Sequence, residues 1–324
     1  MRCIAAAVAA VVALSSVSCD DSGTPRGAGP SARATAPGVT PSPPGTEPAT
    51  PAPPSGDARR ARPRPPGPDA PLPGRSGALA RRVDARTRAL YAAVDEWVER
   101  GRPRRRRVPR ALELNALYVQ RAYRVLARDE RLAQRVLPRL HGVAAADARA
   151  AVPAIRGLLS LARPVNPRAF RVGPPTPAGA LLRHYRAAQR RFGVRWELLA
   201  AVNFVESRFN RMRSASYAGA LGPMQFLPST WDAYGMGGDV HDPRDAIMGA
   251  ANYLAASGAP DDVRGALYAY NPSEIYVDAV LRYARRIERR DDAFYALYAW
   301  QVFVTTARGD VRLTGPGLRR PLTD

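Results

Sequence analysis

"LLAAVNFVESRFN", residues 198–210, decides the fold. Leu198, Val202, Val205 and Phe209 follow one another at spacings of four, three and four. On an α-helix such spacings form one apolar stripe. Glu206 stands four residues after Val202, so the same geometry puts it at the edge of that stripe. A carboxylate there loses hydration, which disfavours its charged form and raises its pKa. An acid lifted from roughly 4 to about 6 still donates a proton near neutrality. The plain reading is a glutamate at a helix end, hydrogen-bonded or in solvent. The chemical reading is a general acid.

The segments that follow bear on that choice. "SASYAGALGPMQFLPSTWDAYG", residues 214–235, has Gly219 and Gly222, which permit a tight turn close to a ligand. Met224, Gln225 and Phe226 set an amide beside apolar bulk, and Pro228 opens a helical turn carrying Trp231 and Tyr234. "ALYAYNPSEIYVDAVLRYARRI", residues 266–287, follows. There Asn271 with Glu274 three residues on fits a capping box, and Tyr276, Val280, Tyr283 and Ile287 form a buried helical face. A carboxylate, amides and exposed aromatic rings suit a sugar-binding cleft, where rings stack on sugar faces and amides read hydroxyl and acetamido groups.

The chain from about residue 178 to 290 resembles the catalytic domain of lytic transglycosylases, lysozyme-like enzymes of bacterial peptidoglycan. The resemblance rests on three ordered motifs, Glu206-Ser207, Gly222-Pro223-Met224-Gln225 and Ala269-Tyr270-Asn271, with Ser216 nine residues before Gln225. Pro223 stands where many members have leucine. The resemblance implies a mainly α, lysozyme-like fold with Glu206 as the catalytic residue. It implies that Ser216, Met224, Gln225, Tyr270 and Asn271 bind a peptidoglycan glycan strand. It further implies that one glutamate serves as acid and then base, cleaving between N-acetylmuramic acid and N-acetylglucosamine to leave a 1,6-anhydro sugar. Two alternatives stay open. A hydrolytic muramidase on the same fold would need a second carboxylate, with Asp232 and Asp239 as candidates from sequence proximity. A non-catalytic cell-wall-binding protein would keep the fold alone.

Outside that segment the sequence addresses location. The opening run has Arg2, an apolar stretch at residues 4–14 and small residues before Cys19, which fits an export signal at residues 1–19. Cys19 fits a lipoprotein site that would anchor the chain to a membrane. Ser16 and Ser18 fit ordinary cleavage equally well. The expected location is extracellular or in the cell envelope. Residues 20–75 read as a tether, since residues 21–80 hold 16 of the 32 prolines. Residues 76–165 read as a helical region without catalytic signal, in which Val83, Leu90, Val94 and Trp97 mark a first helix. Leu114, Leu117, Tyr118, Val125 and Leu126 mark a second. Asp129 caps a third, and Ile155, Leu158, Leu159 and Leu161 lie on a fourth. The second unit, residues 170–290, opens with Thr176 as N-cap, Pro177 at the first helical position and Gly193 as the stop. Residues 291–324 read as a short β-hairpin, residues 297–314, and a tail, with a turn at Arg308-Gly309-Asp310.

The net charge is +21 and every basic residue is an arginine, as a GC-rich coding sequence would give. Such charge attracts polyanions. No nucleic-acid-reading motif accompanies it, so no nucleic-acid partner is expected, and the 102–110 stretch "RPRRRRVPR" reads as a solvated loop. The three histidines share no metal spacing, and "GMGGDVHDPRD", residues 235–245, lacks the spacing and closing glutamate of a calcium loop. No metal and no cofactor are expected, and Asp242 reads as a helix cap. Nothing in the sequence bears on oligomeric state.

Overall fold

The computed structural model describes residues 64–100 and 107–318. The expected export signal, Cys19, residues 20–63 of the expected tether and residues 102–106 of the arginine stretch lie outside the described residues. Within them the chain forms eleven α-helices and one two-stranded antiparallel sheet. The first four are α1 (Ser76–Glu99), α2 (Arg110–Arg128), α3 (Glu130–Val136) and α4 (Gly142–Ser160). There follow α5 (Ala178–Phe192), α6 (Trp196–Ser207), α7 (Pro228–Tyr234), α8 (Pro243–Ala256), α9 (Val263–Tyr270), α10 (Glu274–Arg289) and α11 (Asp292–Tyr298). Strands β1 (Phe303–Thr306) and β2 (Gly309–Arg312) close the described chain. Among the described residues no helix is long and apolar enough to cross a membrane.

Local chemistry sets most helix ends. Asp129 accepts from the Leu132 amide at 2.8 Å and starts α3, while Asp242 accepts from the amides of Arg244 and Asp245 and starts α8. Gly193, with φ of 74°, ends α5 in the left-handed region. Two expected caps fall elsewhere. Pro177, not Thr176, is the N-cap of α5, because Thr176 is held outside the helix by its amide's bond to the Phe209 carbonyl. Asn271 is the C-cap of α9 and not the N-cap of α10. Helix α9 runs through Tyr270, so the capping role passes to Ser273, which accepts from the Tyr276 amide.

Helix α6 is the centre of the core. Every residue in it except Glu197 is buried. The expected one-sided stripe is therefore replaced by burial all round, against α5, α8, α10 and α11. The helix also stops at Ser207, so Phe209 lies beyond it. Residues 76–165 and 170–290 share one apolar core, with α4 lying along α10 and α1 against α11.

The hairpin pairs Phe303 with Arg312 and Thr306 with Gly309, and starts later than the expected residue 297. Phe294, Leu297 and Tyr298 recur at helical spacing and bury together, which makes that aromatic run α11. Asp310 belongs to β2 rather than to the turn. It accepts from Arg124 Nε at 2.7 Å and pairs with Arg128, locking the hairpin to α2. Val302, Val304 and Leu313 fill a second small core with Val165, Phe170 and Met212. Where α11 hands over to β1, Gln120 Nε2 donates to the Gln301 carbonyl at 2.8 Å and Gln120 Oε1 accepts from the Gln301 amide at 2.9 Å.

Both glutamines are buried. Gln120→Ala strands a buried N–H and C=O, so denaturant unfolding should show a loss of about 2–4 kcal/mol.

Candidate active site

The site is built at the end of α6, where three consecutive non-glycine residues take the left-handed conformation. They are Arg208, Phe209 and Asn210, with φ of 53°, 59° and 68°. Each costs roughly 1–2 kcal/mol. Several contacts offset that cost. The Phe209 ring is buried and packs on Phe204, Phe294 and Tyr298. Ser207 Oγ accepts from the Asn210 amide at 2.9 Å, and Thr176 Oγ1 accepts from Asn210 Nδ2 at 3.3 Å. The turn reverses the chain immediately after the acid, so Phe209 rejoins the core from off the helix.

The same serine ties α6 to the Gly222–Gln225 loop. Ser207 Oγ donates to the Pro223 carbonyl at 2.7 Å, and Asn203 Nδ2 donates to the same carbonyl at 2.8 Å. Tyr185 on α5 donates to Asn203 Oδ1 at 2.6 Å, which fixes that amide. The loop itself is a tight reversal. Leu221 and Phe226 form an antiparallel bridge, Gln225 has φ of 52° and its Nε2 donates to the Gly222 carbonyl at 2.9 Å. A Cβ at Gly222 would meet the Val240 carbonyl oxygen at 1.8 Å, and its φ is 74°, so only glycine fits. Upstream, Ser216 Oγ accepts from the Ala220 amide at 3.0 Å and closes a turn that exposes Tyr217.

Glu206 is 3% exposed. Its Oε1 accepts from the Tyr276 hydroxyl at 2.6 Å. Its Oε2 is buried and has no partner among the described residues. Burial pushes the carboxyl up to about 8, against the opposing pull of the Tyr276 hydrogen bond and the Arg208 charge. The group is thus mostly protonated at neutral pH, beyond the value of about 6 expected from the sequence. Arg208 stays cationic, its guanidinium over the Phe204 ring at 4.2 Å.

Of the expected residues Tyr270 is the one influenced by this acid, and the others lie in the loop and turns joined to α6 or next to Tyr270 in sequence. Tyr270 donates to the Met224 carbonyl at 2.6 Å, and burial, with Glu206 and Tyr253 adding to it, holds its phenol well above the usual range. Met224 is fully buried, so it presents its main chain, not its thioether. Gln225 lies in the loop joined to Ser207, and Ser216 in the adjoining turn. Asn271 is 3% exposed, and its Oδ1, like Glu206 Oε2, lacks a partner among the described residues. Asp232 and Asp239 are exposed, and neither is among the groups that shift Glu206. Sequence reasoning placed Tyr276 in a buried face and missed that its hydroxyl holds the acid. It also passed over Asn203 and Tyr185. For Asn203 the visible signal is a polar side chain on an otherwise apolar, buried helix, whereas Tyr185 lies on the arginine-rich α5 and gives none.

The model of the family described as "Transglycosylase SLT domain" matches residues 183–292. The chain carries a transglycosylase SLT domain. Within the SLT domain lie all of the residues expected at the site, together with Tyr276, while α1–α4 and the hairpin fall outside it. "Membrane-bound lytic murein transglycosylase F" of Thiobacillus denitrificans (strain ATCC 25259 / T1) is 34% identical over 113 residues, covering 32% of this chain and 24% of its own. The protein of the same name from Pseudomonas fluorescens (strain Pf0-1) is 32% identical over 111 residues, covering 32% of this chain and 22% of its own. The chain thus spans less than a quarter of the length of these curated relatives. No solved structure matches it significantly.

Burial of Glu206 in the SLT domain has a measurable cost. The unfolded carboxyl has the ordinary value of 4.5, so between pH 4.5 and 8 the folded chain keeps a proton that the unfolded chain releases. The stability this proton contributes is present below pH 4.5 and is lost as pH rises to 8. Relative to Glu206→Gln, the wild-type unfolding free energy should fall by about 1.4 kcal/mol per pH unit across that window. Parallel pH curves for the two proteins would refute the burial of an ionisable group here.

Proposed function

We propose that the SLT domain cleaves peptidoglycan glycan strands as a lytic transglycosylase, with Glu206 as acid and then base. The observation that carries this reading is the buried carboxyl, protonated at neutral pH, with one oxygen fixed by Tyr276 and the other unpartnered. The proton on the free oxygen goes to the bridging oxygen between N-acetylmuramic acid and N-acetylglucosamine, and the C1–O bond breaks. The substrate's acetamido group steadies the cationic ring. The carboxylate then takes the proton of the C6 hydroxyl, and the C6 oxygen bonds to C1 to close a 1,6-anhydro ring. The acid regains its proton, and no water is consumed. Proton transfer of this kind supplies roughly 10²- to 10⁴-fold, and fixed dipoles around the developing charge supply more.

One observation favours a single-acid course over hydrolysis: among the described residues no second carboxylate is among the groups that shift Glu206, whereas a hydrolytic muramidase would need one to place its water. Ser216, Gln225, Tyr270, Asn271 and the Met224 main chain are the substrate-holding groups in this reading. Asn271 Oδ1 is a buried acceptor left for a sugar N–H or O–H. The relatives' printed names, membrane-bound and acting on murein, together with the export signal, support the cell envelope as the working location. Lipidation of Cys19 would anchor the chain there through its tether.

Mass spectrometry of released muropeptides tests this. Wild type should release products lighter by one water than hydrolytic ones, and Glu206→Gln should lower release at least 10²-fold while leaving wall binding intact. Hydrated reducing ends would favour the muramidase, and wall binding without release would favour a non-catalytic binder. Tyr276→Phe removes the bond that favours the carboxylate, so the pH profile should move to higher pH with reduced kcat.

A further inference from the structure

Residues 76–165 lie outside the SLT domain, yet one of their helices grips the helix that holds the acid. Helix α4 packs along α10, and two of its contacts, at Gly157 and Asp147 ten residues apart, differ in kind. Near the start of α10, a Cβ on Gly157 would lie 2.9 Å from Cγ2 of Ile275, a residue 36% exposed, so a side chain added there must displace either the isoleucine side chain or α10 itself. Ile275 directly precedes Tyr276, whose hydroxyl donates to Glu206 Oε1 at 2.6 Å. Three turns further along, Arg286 of α10 forms an ion pair with Asp147 of α4. Tyr91 of α1 completes that contact, donating to Asp147 Oδ2 at 2.9 Å and accepting from Arg286 Nη2 at 2.8 Å. The chemistry of the two ends differs. The first sets how near α10 can come. The second sets its register along its own axis, because a buried charge pair tolerates no slip.

We infer that α4 is a clamp that sets the Tyr276–Glu206 hydrogen bond, making Gly157 and Asp147 positioning residues for the acid. This rests on the functional reading only for its kinetic part. The groups facing Glu206 are Tyr276 from α10, Tyr270 at the end of α9 and Arg208 just past α6. Helices α5, α8 and α11, also packed on α6, bring none that shift it among the described residues. Of these groups only Tyr276 sits on the clamped helix and bonds the carboxyl directly. Drawing α10 away lengthens that bond, disfavours the carboxylate and raises the acid's proton affinity.

The test uses the full chain and two readouts, ¹³C NMR titration of the Glu206 carboxyl, assigned by its loss in Glu206→Gln, and the kinetics of muropeptide release. Gly157→Ala adds one methyl against Ile275 while improving helix propensity, so the fold should persist. Its Glu206 midpoint should move to higher pH, and kcat should fall about tenfold with KM unchanged, as small misplacements of a reacting group do. Ile275→Ala in the same chain should restore both. Tyr91→Phe, which loosens the far contact without adding bulk, should move the midpoint in the same direction. An unchanged midpoint in both Gly157→Ala and Tyr91→Phe would overturn the inference. A midpoint that moves in a chain whose wild type releases no muropeptide would support the clamp and defeat the functional reading alone.

Discussion

The site depends on a carboxyl that is half satisfied. Glu206 Oε1 has the Tyr276 hydroxyl and Oε2 has nothing among the described residues. A rise from 4.5 to about 8 disfavours the ionised form by about 5 kcal/mol, which is comparable with the whole net stability of a small domain. The side chain therefore remains in place at neutral pH chiefly as the neutral acid. A second hydrogen bond to Oε2 would lower the pKa and blunt the group as a proton donor. A fully dry carboxyl without Tyr276 would hold its proton too tightly to serve as a base afterwards. One bond out of two suits the acid-then-base role proposed for this group.

The surroundings of this acid follow the opposite rule. Asn203 and Ser207, one turn apart and equally buried, are bonded at nearly every polar atom, and both converge on the Pro223 carbonyl. That convergence fixes the Gly222–Gln225 loop to α6, and Tyr270 fixes it again from α9 through the Met224 carbonyl. Polar atoms that build the frame are satisfied, and those left without partners, on Glu206 and Asn271, lie beside it in sequence. The three left-handed residues after Ser207 belong to the frame. Their strain is held by core packing of Phe209 and by the Asn210 bonds, so the chain turns sharply just after the buried acid.

What the sequence disclosed follows from how local each signal is. The burial of α6 and the oddity of Glu206 are readable because an acid among Leu, Val and Phe is a conflict within one turn. The caps at Asp129, Asp242 and Gly193 are equally local. The Asn271 cap failed because the capping-box pattern ignores where the preceding helix stops, and α9 claims Asn271 first. Phe209 was assigned to a helical stripe because left-handed backbone in non-glycine residues leaves no mark in composition. The hairpin was begun too early because aromatic richness favours strands, while the spacing of Phe294, Leu297 and Tyr298 favours a helix. Tyr276 was seen as core and not as a donor, because its partner lies 70 residues away.

The union of the amino-terminal helices with the SLT domain can be argued from α10 itself. A helix with one neighbour buries a stripe at positions such as 276, 280, 283 and 287. Here Val277, Ala279, Ala284 and Arg286 are buried as well, and the buried arc is too wide for α6 alone. Helix α4 also packs along α10, and Arg286 meets it at Asp147. This buried arginine is the decisive residue, since burying a charge is costly unless it is paired. Asp147, 139 residues earlier, is its counter-charge. The SLT domain of this chain thus carries in Arg286 a requirement that its own residues 183–292 do not meet through an ion pair, and the helices before it are part of the same folding unit for that reason.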